Sequence, residues 1–99
     1  MNVSIIIPCY NEEEVLPLTF KSLKALALDL VSRKNCDEIE FVMVDDGSQD
    51  RTAELLTGAS KADKCVKVIR FSRNFGHQAA LLAGYEFAKG DVIVSLDAD

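Results

Sequence analysis

Short β-branched runs alternate with amphipathic helical stretches along this chain, and that order restricts the fold more than any other feature. Val3-Ser4-Ile5-Ile6-Ile7 predicts a first strand, with Pro8 as its stop. Leu16, Phe20, Leu23, Ala27 and Leu30 then recur at steps of three and four, one apolar stripe of a helix. Pro17 fits only near the start of that helix, which should begin around Glu13 to Val15. Ile39 to Val44 predicts a second strand, and Asp50 an N-cap for a helix carrying Ala53, Leu55, Leu56 and Ala59. Val66 to Phe71 is the third strand. A helix follows from about His77 to Lys89, with Gly90 as C-cap and Gly84 packed close to the sheet. Val92 to Leu96 is the fourth strand. Strands separated by helices imply right-handed βαβ crossovers, hence an α/β fold with a parallel sheet.

In such a sheet the functional loops lie at the carboxyl ends of the strands, near a switch in strand order. The unusual residues all fall there. The fourth strand runs into Asp97-Ala98-Asp99, where extended backbone points residues two apart the same way. Two carboxylates at that spacing suit a hard cation, Mg²⁺ or Mn²⁺, which is usually completed by substrate phosphates. After the first strand comes Pro8-Cys9-Tyr10-Asn11-Glu12, offering an aromatic ring, an amide and an acid. It reads either as part of a nucleotide site or as an ordinary turn with Asn11 as N-cap. After the second strand comes Asp45-Asp46-Gly47-Ser48, two acids ahead of a tight turn. After the third comes Ser72-Arg73-Asn74-Phe75-Gly76-His77. Here Arg73 suits a diphosphate, and Phe75 reads equally as core or as a wall of the site. His77, the only histidine, reads as a helix-start surface residue. Because polar motifs cluster at the ends of strands one and four, the expected strand order is 3-2-1-4.

The net charge of −5 argues against a general nucleic-acid binder, which needs a basic footprint. No apolar stretch approaches the roughly 18 residues that span a bilayer, and the amino terminus shows no signal-peptide pattern. Cys9, Cys36 and Cys65 lack metal-ligand spacing and read as reduced thiols, Cys9 as a packing residue. No Gly-x-Gly-x-x-Gly turn follows the first strand, so phosphate charge must be met elsewhere, and the Asp97/Asp99 metal is the available candidate.

Ile6-Ile7-Pro8-Cys9-Tyr10-Asn11-Glu12-Glu13, Val44-Asp45-Asp46-Gly47-Ser48 and Asp97-Ala98-Asp99, in this order and spacing, resemble the nucleotide-binding half of inverting family-2 glycosyltransferases of GT-A fold. Ser72 to His77 with Ala79 to Gly84 is similar to the polyprenyl-phosphate branch, which includes dolichyl-phosphate mannose synthase and undecaprenyl-phosphate sugar transferases. The resemblance covers essentially all of residues 1–99. It implies a Rossmann-like parallel sheet, a UDP- or GDP-sugar donor and a polyprenyl phosphate acceptor. It further implies an acceptor half beyond residue 99, membrane attachment through regions beyond residue 99, and action on the cytoplasmic side. Residues 1–99 are then the nucleotide-sugar-binding part of a longer protein, inactive in transfer by itself. Pro8, Tyr10, Glu12 and Asp45 would line the base and ribose pocket, and Asp46 would support that loop. Asp97 and Asp99, the catalytic pair, would hold the divalent ion against the donor diphosphate, with Arg73 nearby.

Other classes share parts of this pattern. A related family-2 enzyme would use a saccharide hydroxyl as acceptor, which requires a positioned base. A nucleotidyltransferase calls for a Gly- and Lys/Arg-rich loop after the first strand, and this chain has none. A non-catalytic receiver-like or interaction domain would use Asp45, Asp46 and Asp97 as an acidic pocket. It leaves Pro8 to Glu12 and Arg73 to Gly76 without a role.

Overall fold

The computed structural model describes residues 1–33 and 36–97. Strands β1 (Asn2–Cys9), β2 (Glu38–Asp45), β3 (Val66–Arg70) and β4 (Val92–Ser95) alternate with helices α1 (Leu16–Ser32), α2 (Thr52–Ala62) and α3 (His77–Phe87). They form one parallel sheet in the order β3-β2-β1-β4, as the strand-end motifs predicted.

Side chains alternate across each strand, so the two sheet faces hold separate cores. On one face Ile5, Ile7, Ile39, Phe41 and Met43 pack with Leu16 and Leu23 of α1 and Leu56 of α2. On the other, Ile6, Val42 and Val44 meet Ala80 of α3. The apolar stripe of α1 is the predicted one, with Phe20, Ala27 and Leu30 flanking the buried Leu16 and Leu23. At Gly84 a Cβ would lie 2.4 Å from the Ile6 side chain, so only glycine lets α3 lie this close to β1.

Several boundaries differ from the sequence expectation, each for a local reason. Pro8 does not stop β1, which runs through it to Cys9. Leu96 N–H donates to Ile6 O on the β4 side, and Pro8 faces that same side two residues further on. The last β1–β4 pair is Ile6 with Ser95, so the missing N–H of Pro8 costs no ladder bond. Helix α3 ends at Phe87, and Gly90 is not its C-cap. Gly90 instead crosses β1, its N–H donating to Ser4 Oγ at 2.8 Å where a Cβ would meet Ser4 backbone at 2.7 Å. Ser4 Oγ in turn donates to Glu40 Oε2 at 2.6 Å, and that oxygen also accepts from Lys89 N–H at 2.8 Å. This polar knot around buried Ser4, at the amino ends of the strands, sets where the chain enters β4.

Asp50 acts one residue earlier than a standard cap. Its carboxylate accepts from Thr52 N–H at 2.9 Å and from Glu13 N–H at 3.2 Å. Asn11 is not the N-cap of α1, which starts five residues later behind Val15. Its backbone is left-handed, with φ of 51°, and its side chain reaches across to the loop after β2.

Candidate active site

Three loops meet over the carboxyl ends of β1, β2 and β3. The loop after β1 is fastened to the one after β2 by side-chain to backbone hydrogen bonds. Asn11 N–H donates to Ser48 Oγ at 2.9 Å, and Gln49 N–H to Asn11 Oδ1 at 2.9 Å. Glu12 N–H donates to the hydroxyl of fully buried Thr52 at 2.8 Å. Together these contacts fix the shape of the loop that carries Tyr10 and Glu12.

Two adjacent cavities open between these loops. The first, about 370 Å³, is bordered by Tyr10, Gly47, Ser48, Gln49, Arg70 and Phe71 together with Ser72, Arg73 and Asn74. The second, about 280 Å³, is bordered by Pro8, Cys9, Tyr10, Glu12, Asp46, Asn74, Gly76, His77 and Asp97. Tyr10 and Asn74 form the wall they share. Six of the eight residues singled out from sequence, Pro8, Tyr10, Glu12, Asp46, Arg73 and Asp97, therefore border this cleft. Asp45, fully buried, borders neither cavity, and Asp99 lies outside the described residues. Arg73 borders the first cavity and Asp97 the second.

The two neighbouring acids after β2 have opposite environments. Asp45 is 0% exposed. Its Oδ1 accepts from Ser48 N–H at 3.0 Å, while Oδ2 has no hydrogen-bond partner. The nearest cation is Arg70, whose Nε stands 3.9 Å from Oδ2, too far for a hydrogen bond. A buried carboxylate oxygen without a hydrogen bond is costly, and Ser48 and Arg70, which contact this carboxylate, border the first cavity. Asp46, 4% exposed, is instead saturated by the loop after β3. It accepts from Asn74 Nδ2 at 3.1 Å, from Phe75 N–H at 2.7 Å and from Gly76 N–H at 3.1 Å.

Phe75 is 52% exposed and borders neither cavity, so it is neither core nor a wall of the site. Its ring packs edge-on against Phe71 at 5.6 Å and under the Arg73 guanidinium at 4.5 Å. Cys9 packs in the α1-side core, where burial, reinforced by Glu12 and Asp45, pushes its thiol up to about 12. It is therefore inert at neutral pH. His77 is the first residue of α3 and borders the second cavity. Sequence reasoning passed over Arg70, Gln49 and Thr52. An arginine at a strand end and a threonine at a helix start carry no distinctive spacing, so only the assembled loops disclose them.

Among the described residues no three His, Cys, Asp or Glu side chains come together as a self-sufficient metal cage. Asp97 nevertheless borders the cavity, and its oxygen chemistry fits a hard cation shared with phosphate oxygens.

A parallel sheet in this order with flanking helices, and a polar two-chambered cleft over its strand ends, is the arrangement found in α/β folds of the GT-A kind. The chain belongs to glycosyl transferase family 2, whose sequence pattern it matches over residues 4–99. An undecaprenyl-phosphate 4-deoxy-4-formamido-L-arabinose transferase of Pectobacterium atrosepticum is 46% identical over 99 residues, 99% of this chain and 29% of that protein. An uncharacterized Bacillus subtilis glycosyltransferase, YkcC, is 46% identical over 96 residues, 97% of this chain and 28% of that protein. The chain thus spans less than a third of the length of these relatives. Among solved structures, a Pyrobaculum calidifontis mannosyltransferase in complex with GDP-Man and Mn²⁺ superposes with a TM-score of 0.81 at 24% identity, covering 98% of this chain and 27% of that one. S. aureus TarS 1–349 in complex with UDP-GlcNAc gives 0.79 at 25% identity, covering 100% of this chain and 27% of that one.

Proposed function

We propose that residues 1–99 are the donor-binding part of an inverting glycosyltransferase that moves a sugar from a UDP- or GDP-sugar to a polyprenyl phosphate. The observation that carries the donor half is a cavity of nucleoside size bordered by Tyr10, Ser48 and Arg70, the last two contacting the buried Asp45 carboxylate, whose Oδ2 accepts no hydrogen bond. A nucleobase N–H satisfies that atom, and Tyr10 supplies an aromatic wall. Arg73, at the edge of that cavity, would reach the donor diphosphate. Glu12 accepts a ribose hydroxyl, and the diphosphate extends toward Asp97 across the Tyr10–Asn74 wall. The polyprenyl acceptor rests on the names of relatives such as the Pectobacterium enzyme.

Asp97, and Asp99 with it, would hold Mg²⁺ or Mn²⁺. When bound, the ion neutralises charge on the departing nucleoside diphosphate. The chain's own residues bind and orient the donor: Pro8 and Tyr10 bound the cleft, and Asp45 and Glu12 fix the nucleoside. A phosphate acceptor is already an oxyanion near neutral pH, so inversion at the anomeric carbon needs no strong general base. Residues beyond 99 would supply the acceptor surface and membrane attachment, with the site on the cytoplasmic side. Among the described residues no helix is long and apolar enough to cross a membrane.

The test is transfer by the full-length protein with undecaprenyl phosphate or dolichyl phosphate in detergent, Mn²⁺, and a panel of UDP- and GDP-sugars. A glycosyl phosphate lipid from one donor class is expected. Transfer only to saccharide hydroxyls, or no nucleotide-sugar turnover, would contradict it.

A further inference from the structure

We propose that Asp46 is a positioning residue that latches the loop after β3, and that it reaches the donor only through that loop. The proposal deepens the donor-binding reading and rests on it for its consequence, though not for the latch itself. Both Asp46 oxygens are occupied: Oδ1 accepts from Phe75 N–H at 2.7 Å, and Oδ2 from Asn74 Nδ2 and Gly76 N–H, each at 3.1 Å. Asn74 Nδ2 also lies 3.3 Å from the Asp46 carbonyl, so one side chain grips both the backbone and the carboxylate. Next door, Gly47 has φ of +72°, and a Cβ there would lie 2.2 Å from the Arg73 carbonyl carbon and 2.4 Å from Asn74 N. The turn after β2 and the loop after β3 are therefore in backbone contact, and the buried carboxylate is the fastener between them.

What is fastened matters to both cavities. Ser72, Arg73 and Asn74 border the first, while Asn74, Gly76 and His77 border the second. Gly76 N–H, held by Asp46, directly precedes α3, so the latch also fixes where that helix starts. Charge-assisted bonds to a buried carboxylate are about twice as strong as neutral ones, and they hold the loop in its bound shape before ligand arrives. Consecutive aspartates thus divide the work: Asp45 keeps an oxygen for the ligand, and Asp46 spends both on the loop.

The test uses the full-length protein and two variants, Asp46→Asn, nearly isosteric, and Asn74→Ala, which removes a rim donor and leaves the core intact. Amide hydrogen exchange is read at Phe75 and Gly76. Both variants should speed it by about tenfold or more, the equivalent of one lost charge-assisted bond, while exchange in β1 stays unchanged. UDP and GDP affinity is then measured for Asp46→Asn, Arg73→Ala and the double variant. A latch predicts that the double variant loses clearly less than the product of the two single losses, because the loop is already displaced. Unchanged exchange at Phe75 and Gly76, or multiplicative losses in affinity, would show that Asp46 acts on the nucleotide directly and overturn the proposal. If the wild-type protein binds neither nucleotide, the donor-binding reading fails, and the exchange measurement still decides the latch.

Discussion

At the scale of single residues, the site is built by unequal treatment of chemically alike groups. Asp45 and Asp46 are consecutive acids on a strand end, yet one keeps a buried oxygen without a hydrogen bond and the other accepts from three donors. A sequence shows the pair and its position but not this division, which depends on a loop nearly thirty residues downstream. Tyr10, Glu12 and Asp97 were legible because unusual residues at strand ends stand out against apolar runs. Arg70 and Thr52 were not, because their roles come from contacts between loops. Contacts made equally to ground and transition states change binding more than turnover. Asp45→Ala and Glu12→Ala in the full-length enzyme should therefore raise KM for the donor by about tenfold or more and lower kcat by a smaller factor. Steady-state kinetics at saturating acceptor check this, and a kcat loss exceeding the KM change would count against nucleoside contact.

Among the elements, periodicity matches the seven found in the described residues, and the boundaries that differ have local causes. A proline usually interrupts a ladder, but the side of β1 that Pro8 faces lies beyond the end of β4. Gly90 marks a backbone crossing over Ser4 rather than a helix cap. Gly84 behaves as expected, and Gly84→Ala should cost about 1–3 kcal/mol by forcing α3 away from Ile6, measurable by urea unfolding. Asp50 joins the start of α2 to the loop after β1. Burial raises its pKa, but the Thr52 hydroxyl and the Thr52 and Glu13 N–H groups outweigh this and hold it below the ordinary carboxylate range. A carboxylate depressed in the folded state stabilises above its unfolded pKa and loses that stabilisation as pH falls through the folded one. Asp50→Ala should thus cost about 1 kcal/mol at neutral pH, as loss of a helix cap does, and the gap to wild type should close in acid. A gap that persists or widens there would contradict the ionic role.

For the molecule as a whole, strand order alone brings the site together. Because β1 lies between β2 and β4, the loops carrying Tyr10, Asp46 and Asp97 converge, although they are far apart in sequence. The parallel sheet and its order were legible in sequence, since helical spacers dictate crossovers and polar strand ends dictate which strands are neighbours. The two-chambered form of the cleft was not, because it depends on how three loops bond to one another. The most direct test of a nucleotide diphosphate held here with a metal is calorimetric titration of UDP and GDP into the full-length protein. It is run with and without Mn²⁺, for wild type and for Asp97→Asn. Wild type should bind one of the two nucleotides at least about tenfold more tightly with Mn²⁺, and Asp97→Asn should lose that enhancement while keeping the metal-free affinity. Equal affinity with and without the metal, or an enhancement that survives in Asp97→Asn, would contradict the assignment of Asp97 and the donor site built around it.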